Sequence, residues 1–162
     1  MAFVRILDRL IGRIVGAGAS LALPLMFLLF LQWPLRDLIR GYSREANDLG
    51  QLFFAVYVAL SVTAATRAGT HLAADIVAQR YSSKTRARLK KAGLLLGLLP
   101  WAVFVFIAAR PIVMSSVQVL EGFPDTFNPG YFIIKLALWV MAVLIVAQIV
   151  VDLFRPEPAE PG

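Results

Sequence analysis

Four apolar runs, separated by short charged stretches, set the plan of this chain. Residues 14–35, 49–66 and 92–109 contain no Asp, Glu, Lys or Arg, and residues 132–151 contain only Lys135, within the first turn. Each run is long enough for a helix to cross a hydrocarbon core of about 30 Å. The pattern predicts an all-α membrane protein with four transmembrane helices and a single integral-membrane domain over residues 1–162. Between the second and third runs, Leu72, Ile76, Val77 and Tyr81 recur at helical spacing, while His71, Asp75 and Gln79 recur every four residues on another face. That pattern predicts a short amphipathic helix lying in the membrane interface.

The first segment, residues 1–13, interleaves Arg5, Arg9 and Arg13 with Ile6, Leu7, Leu10 and Ile11, an amphipathic lead-in suited to the headgroup region. The long run behind it has no A-x-A-like cleavage site, so it reads as a retained first span, kinked at Pro24. Asn47 or Asp48 is placed to cap the second span. The tail of that span, from Ser61 to Thr66, is small and hydroxylated, a composition that suits packing against protein. Residues 67–91 form the longest connection, amphipathic at first and basic at its end. Ser82 and Ser83 offer a cap for the third span. Pro111 leaves two readings of that span open: an end near residue 109, or an extension to residue 120. A helix from 83 to 120 is about 55 Å long, well beyond the hydrocarbon thickness. Residues 121–131, with two prolines and two glycines, read as a loop, and the proline- and acid-rich residues 152–162 as a disordered tail.

Composition agrees with this plan. The 162 residues are 59% hydrophobic and only 16% charged, and mean hydropathy is +0.75. The net charge of +6 raises nucleic acid as a partner, but the cations flank apolar spans, where they set topology and meet anionic lipid. Lys84, Arg86, Arg88, Lys90 and Lys91 are the densest group. Cations at a helix start oppose its dipole, so topology and lipid contact explain them better than helix stability does. The amino-terminal segment, the central connection and the tail carry 11 of the 16 lysines and arginines, which predicts that both termini are cytoplasmic.

Candidate chemistry is sparse. There is no cysteine and one histidine, His71. Bis-histidine haem ligation lacks its second residue, and zinc at His71 and Asp75 lacks further ligands. No Gly-x-Ser-x-Gly turn accompanies the histidine. The residues predict no enzyme, no catalytic site, no metal and no cofactor. No charge lies clearly at mid-membrane, and no pair of broken half-helices marks a transport site. His71 and Asp75 are better read as a local pair or as a contact to a neighbouring subunit.

Taken in order, several positions resemble the small membrane subunit, the DctQ-like component, of tripartite ATP-independent periplasmic (TRAP) transporters. Arg67, Thr70, His71, Leu72 and Asp75 follow the second span. Glu121 follows the third, and Phe127, Pro129, Tyr131 and Lys135 lead into the fourth. Phe123 departs from the family pattern, which often has a small hydroxyl residue there, and Ala46-Asn47 replaces a common acidic pair. The resemblance implies a multi-pass protein of the bacterial cytoplasmic (inner) membrane. It also implies a large multi-span permease subunit as partner, which carries the substrate and sodium sites and moves as an elevator. A periplasmic binding protein delivers the solute, typically an organic acid. This chain would be the scaffold, with Arg67, His71, Asp75, Glu121 and Lys135 as candidate contacts to partner or lipid. Two other classes compete: a membrane anchor of a redox complex, and a small self-assembling transporter.

Overall fold

In the computed structural model, the chain is described over residues 2–38, 43–68 and 81–154. It is built of helices α1 (Ala2–Ala19), α2 (Ala22–Leu38), α3 (Arg44–Ala68), α4 (Ser83–Gly93), α5 (Leu99–Gln118) and α6 (Tyr131–Phe154), with a π-helical turn, Leu94–Leu98, joining α4 to α5. Four segments are long and apolar enough to cross a membrane: Phe3–Pro34, Arg44–Ala68, Thr85–Gln118 and Tyr131–Phe154. The predicted interfacial helix, with Thr70, His71, Leu72, Asp75 and Gln79, lies outside the described residues, as do residues 155–162 of the predicted tail; its first residues, 152–154, continue α6 instead of being disordered.

Helices α3 and α6 form the centre. α1 packs against both, α2 against α3, and α5 against α6. Where α3, α5 and α6 converge, the buried cluster is Ala59, Ala102, Ala137, Met141, Ile145 and Ile149. Half of it is alanine, because lipid tails are as apolar as leucine and helices in a bilayer gain mainly from close approach. Large side chains point outward instead: Phe27, Phe30 and Trp33 on α2, and Phe104 and Ile107 on α5, are all more than half exposed.

Prolines decide where the long helices deform. The first span breaks at Ser20–Leu21 rather than at Pro24. There Ser20 N–H bonds to Ala17 O (3.3 Å) and Leu21 N–H to Gly18 O (3.0 Å), and α-type bonding resumes with Leu25 N–H to Leu21 O (3.1 Å). Pro24 is still the cause. It has no N–H to offer Ser20 O, and its ring crowds the carbonyl four residues back. Pro100 acts in the same way on the third span. Ahead of it the helix widens, and Leu99 N–H reaches Leu94 O, five residues back. Pro111 causes no ending: α5 runs through it to Gln118.

The caps differ in part from expectation. Ser82 caps α4, its Oγ accepting from Thr85 N–H at 3.3 Å. The second span starts earlier than predicted. Ser43 Oγ accepts from Ala46 N–H (3.1 Å), so Asn47 and Asp48 lie inside the helix and neither is its cap. The lead-in 1–13 is likewise continuous with the first span, since α1 starts at Ala2.

Candidate functional site

The polar side chains gather at two levels, one at each end of the bundle. At the first, Arg67, in the last turn of α3, reaches across to α1. Its Nη1 lies 2.7 Å from Asp8 Oδ1 and donates to the Asp8 backbone carbonyl at 3.0 Å. The same nitrogen makes a longer contact, 3.5 Å, to Gln148 Oε1 on α6. Gln148 is fully buried and donates its amide to Asp152 Oδ1 at 3.0 Å. A buried amide in an apolar bundle is costly without partners; here both of its ends are used. Gly12 makes room for this bracket, since a Cβ there would stand 3.3 Å from Arg67 Nη2.

At the opposite end, the loop of residues 119–130 is tied down onto α3, α5 and α6. Lys135 Nζ pairs with Glu121 Oε2 at 2.5 Å and stands over the Tyr131 ring. Ser116 donates to the same carboxylate, and Thr126 donates to Asp48, which is buried on α3. The Lys135 ammonium, then the Ser116 hydroxyl, hold the Glu121 carboxyl below its ordinary range. Backbone bonds complete the loop: Phe123 N–H to Asn128 O and Phe127 N–H to Phe123 O, both 2.8 Å. Phe123 itself is buried and meets Tyr131 edge-on. An apolar side chain at this position therefore anchors the loop.

The two levels bracket an apolar slab. From Asp48 to Arg67 along α3 is about 28 Å at 1.5 Å per residue, close to the thickness of a hydrocarbon core. Inside the slab, several polar side chains bond to backbone carbonyls, while the buried Gln32 amide nitrogen has no partner among the described residues. Thr63 and Thr66 donate to Ala59 O (3.1 Å) and Val62 O (2.9 Å). Trp139 donates from Nε1 to Phe106 O at 3.0 Å while its ring stacks on Phe106. The hydroxylated end of α3 is thus packed against protein, as its composition suggested. The Phe106–Trp139 contact also sets the register of α5 against α6. It places exposed Arg110 at the level of Lys135 and Gly93 at the level of Asp152. Helix α4 therefore stands beyond the Arg67 level, with Arg86, Arg88 and Lys90 exposed and Lys91 partly covered. Lys84 lies in its first turn.

Of the candidate contact residues, Glu121 and Lys135 are brought together, and Arg67 stands with them only in kind, at the other end. His71 and Asp75 fall outside the described residues. Asp8, Gln148 and Asp152 were missed, as were Asp48 and Thr126. Two weak signals pointed to the first group: Asp8 is the only acid among the first 35 residues, and Gln148 and Asp152 sit four apart at the end of the last span. Among the described residues no group of three or more His, Cys, Asp or Glu is placed to hold a metal. A shallow apolar groove runs between α3 and α6, lined by Phe54, Ala55, Val58, Ile134 and Leu138, with Gln51 and Tyr131 at its mouth.

Four membrane-length helices packed into one bundle define a multi-span membrane protein. The family is shown directly by sequence: residues 25–157 match the DctQ component of the tripartite ATP-independent periplasmic transporters, and the chain belongs to that family. It is thus a small subunit of a TRAP transporter, a non-catalytic component located in the inner membrane. No curated protein and no solved structure gives a significant match.

Proposed function

We propose that this chain is the fixed scaffold of a sodium-coupled TRAP transporter. It binds and stabilises the large elevator-type permease subunit, which takes up an organic acid or similar solute delivered by a periplasmic binding protein. Both termini face the cytoplasm, on the side favoured by the lysine and arginine count. The observation that carries this reading is the distribution of polar groups. Across the described slab between the Asp48 and Arg67 levels, the central helices α3 and α6 offer no charged side chain beyond those at the two ends. The hydroxyls of Thr63 and Thr66 and the indole N–H of Trp139 are bonded within the bundle. Such a route offers a polar solute no charged group to bind, whereas the broad apolar outer faces of α2 and α5 suit lipid and a larger membrane partner. Arg67 at one end, Glu121 and Lys135 at the other, and His71 and Asp75 in the connection that follows α3 are the proposed contacts to that partner or its lipids.

Reconstitution tests this reading. The chain is expected to co-purify with a large multi-span subunit and to support sodium-driven uptake only together with it. Sodium-dependent uptake by liposomes holding this chain alone would refute the scaffold role.

A further inference from the structure

We propose that the outer face of α1 is a binding site for the phosphate of anionic phospholipids in the leaflet at the Arg67 end. The bracket described above fixes both the rotation and the depth of this helix. Asp8 faces inward, on the Arg67 ion pair, and Ile11 beside it is almost fully buried. Arg5, Arg9 and Arg13, spaced four apart, are consequently turned away from the bundle, and all three are exposed. The only acid of the helix is already engaged with Arg67, and no described residue hydrogen-bonds or pairs with these three arginines.

Depth makes this stripe unusual. Arg9 is level with the Arg67 bracket, Arg5 lies about 4–5 Å outside Asp8, and Arg13 about 7–8 Å inside it. A guanidinium on the outer face at the depth of Arg13 needs an anion or a path to water. Side chains on a helix lean toward its amino terminus, so Arg13 leans back toward the headgroups and toward Arg9. The stripe therefore spans about 12 Å along the membrane normal, roughly the depth over which phosphates and glycerol esters lie. Guanidinium groups match phosphate oxygens as a planar fork. The side chains between and beside the arginines, Phe3, Ile6 and Leu10, are large and more than half exposed. They suit acyl chains better than the backbone of another helix, which small residues would admit. Cation and hydrocarbon alternate on one face, which is the chemistry of a phospholipid.

Native mass spectrometry of the delipidated full chain, titrated with phosphatidylglycerol or phosphatidylcholine, tests the site. The expected result is phosphatidylglycerol binding that weakens about thirtyfold in the double variant R9Q/R13Q, each arginine contributing about fivefold. R44Q/R110Q removes the same charge from exposed positions elsewhere and should change binding less than about threefold. R13Q alone, the milder change, should weaken binding about fivefold and serves if the double variant is poorly folded. Three results would overturn the proposal. One is equal loss in R9Q/R13Q and R44Q/R110Q, which means unspecific charge attraction. Another is full displacement of the lipid by an equal concentration of glycerol phosphate, which means a site for a soluble phosphate. The third is loss of co-purification with the large subunit in R9Q/R13Q when only zwitterionic lipid is present, which means that the stripe meets a protein carboxylate.

Discussion

The Asp8–Arg67 pair is the sharpest test of how α1 is held. In a bilayer, burying Ile11 against protein rather than lipid gains little from the hydrophobic effect, so packing and polar contacts must hold the helix in place. Changing Asp8→Asn removes one charge-assisted bond of 2.7 Å. Such a bond is worth about 1.5–3 kcal/mol when dry. The two side chains are 27% and 29% exposed, so solvent screening lowers the expected loss to about 1–1.5 kcal/mol. Arg67→Gln removes that bond and also those to the Asp8 carbonyl and to Gln148, for about 2–3 kcal/mol in all. The double variant should be less destabilised than the sum of the two single changes, because each single change already removes the same Asp8–Arg67 bond. The coupling energy is therefore about 1 kcal/mol. Unfolding of the purified full chain in mixed micelles by SDS, followed by tryptophan fluorescence, measures all four corners of this cycle. Additivity within about 0.5 kcal/mol would show that the two side chains do not act as a unit.

Further outcomes follow from the geometry. Gly18 lies against Leu60, and a Cβ there would stand 2.8 Å from Leu60 Cβ; Gly18→Ala should cost about 1–3 kcal/mol in the same assay. Gly16 has nothing within 4 Å of the added atom, so Gly16→Ala should be neutral or slightly stabilising. The Glu121 carboxyl is held below its ordinary value of 4.5, so it binds its proton less readily folded than unfolded. The stability from its pairing is complete above that range and is lost as pH falls through the lower, folded value. Thermal unfolding from about pH 7 to about pH 3 should show this acid loss, and Glu121→Gln should remove it. Single cysteines at Ser43, Ser82 and Asn128 report orientation by impermeant thiol labelling. Labelling at position 82 from the periplasmic side would invert the proposed topology.

How much of this was legible in the linear chain depends on the range of the interaction. The four spans were readable because hydropathy acts locally, and a run of about 20 apolar residues has few other fates. Ser82 was readable as a cap for the same reason, since a cap bonds three residues ahead. The Pro24 deformation was readable in cause but misplaced by a turn, because proline acts on the carbonyl four residues before it. Asp48 was misread as a cap because its use lies in a loop 78 residues away, at Thr126.

By itself, the sequence determined that the chain has four membrane-length apolar helices and which of its connections is basic. These follow from transfer of side chains between water and hydrocarbon, which each residue undergoes almost independently of the others. Only the tertiary structure decided that Arg67 is engaged with Asp8, 59 residues away, and close to Gln148, 81 residues away. It also decided that Glu121 and Lys135 form one tether and that Arg5, Arg9 and Arg13 face outward. Those outcomes depend on helix rotation and register, which are set by how Gly12, Gly18 and the alanines let helices approach. No local pattern of apolar and polar residues encodes that approach, because in lipid every face of an apolar helix is nearly as well solvated as any other.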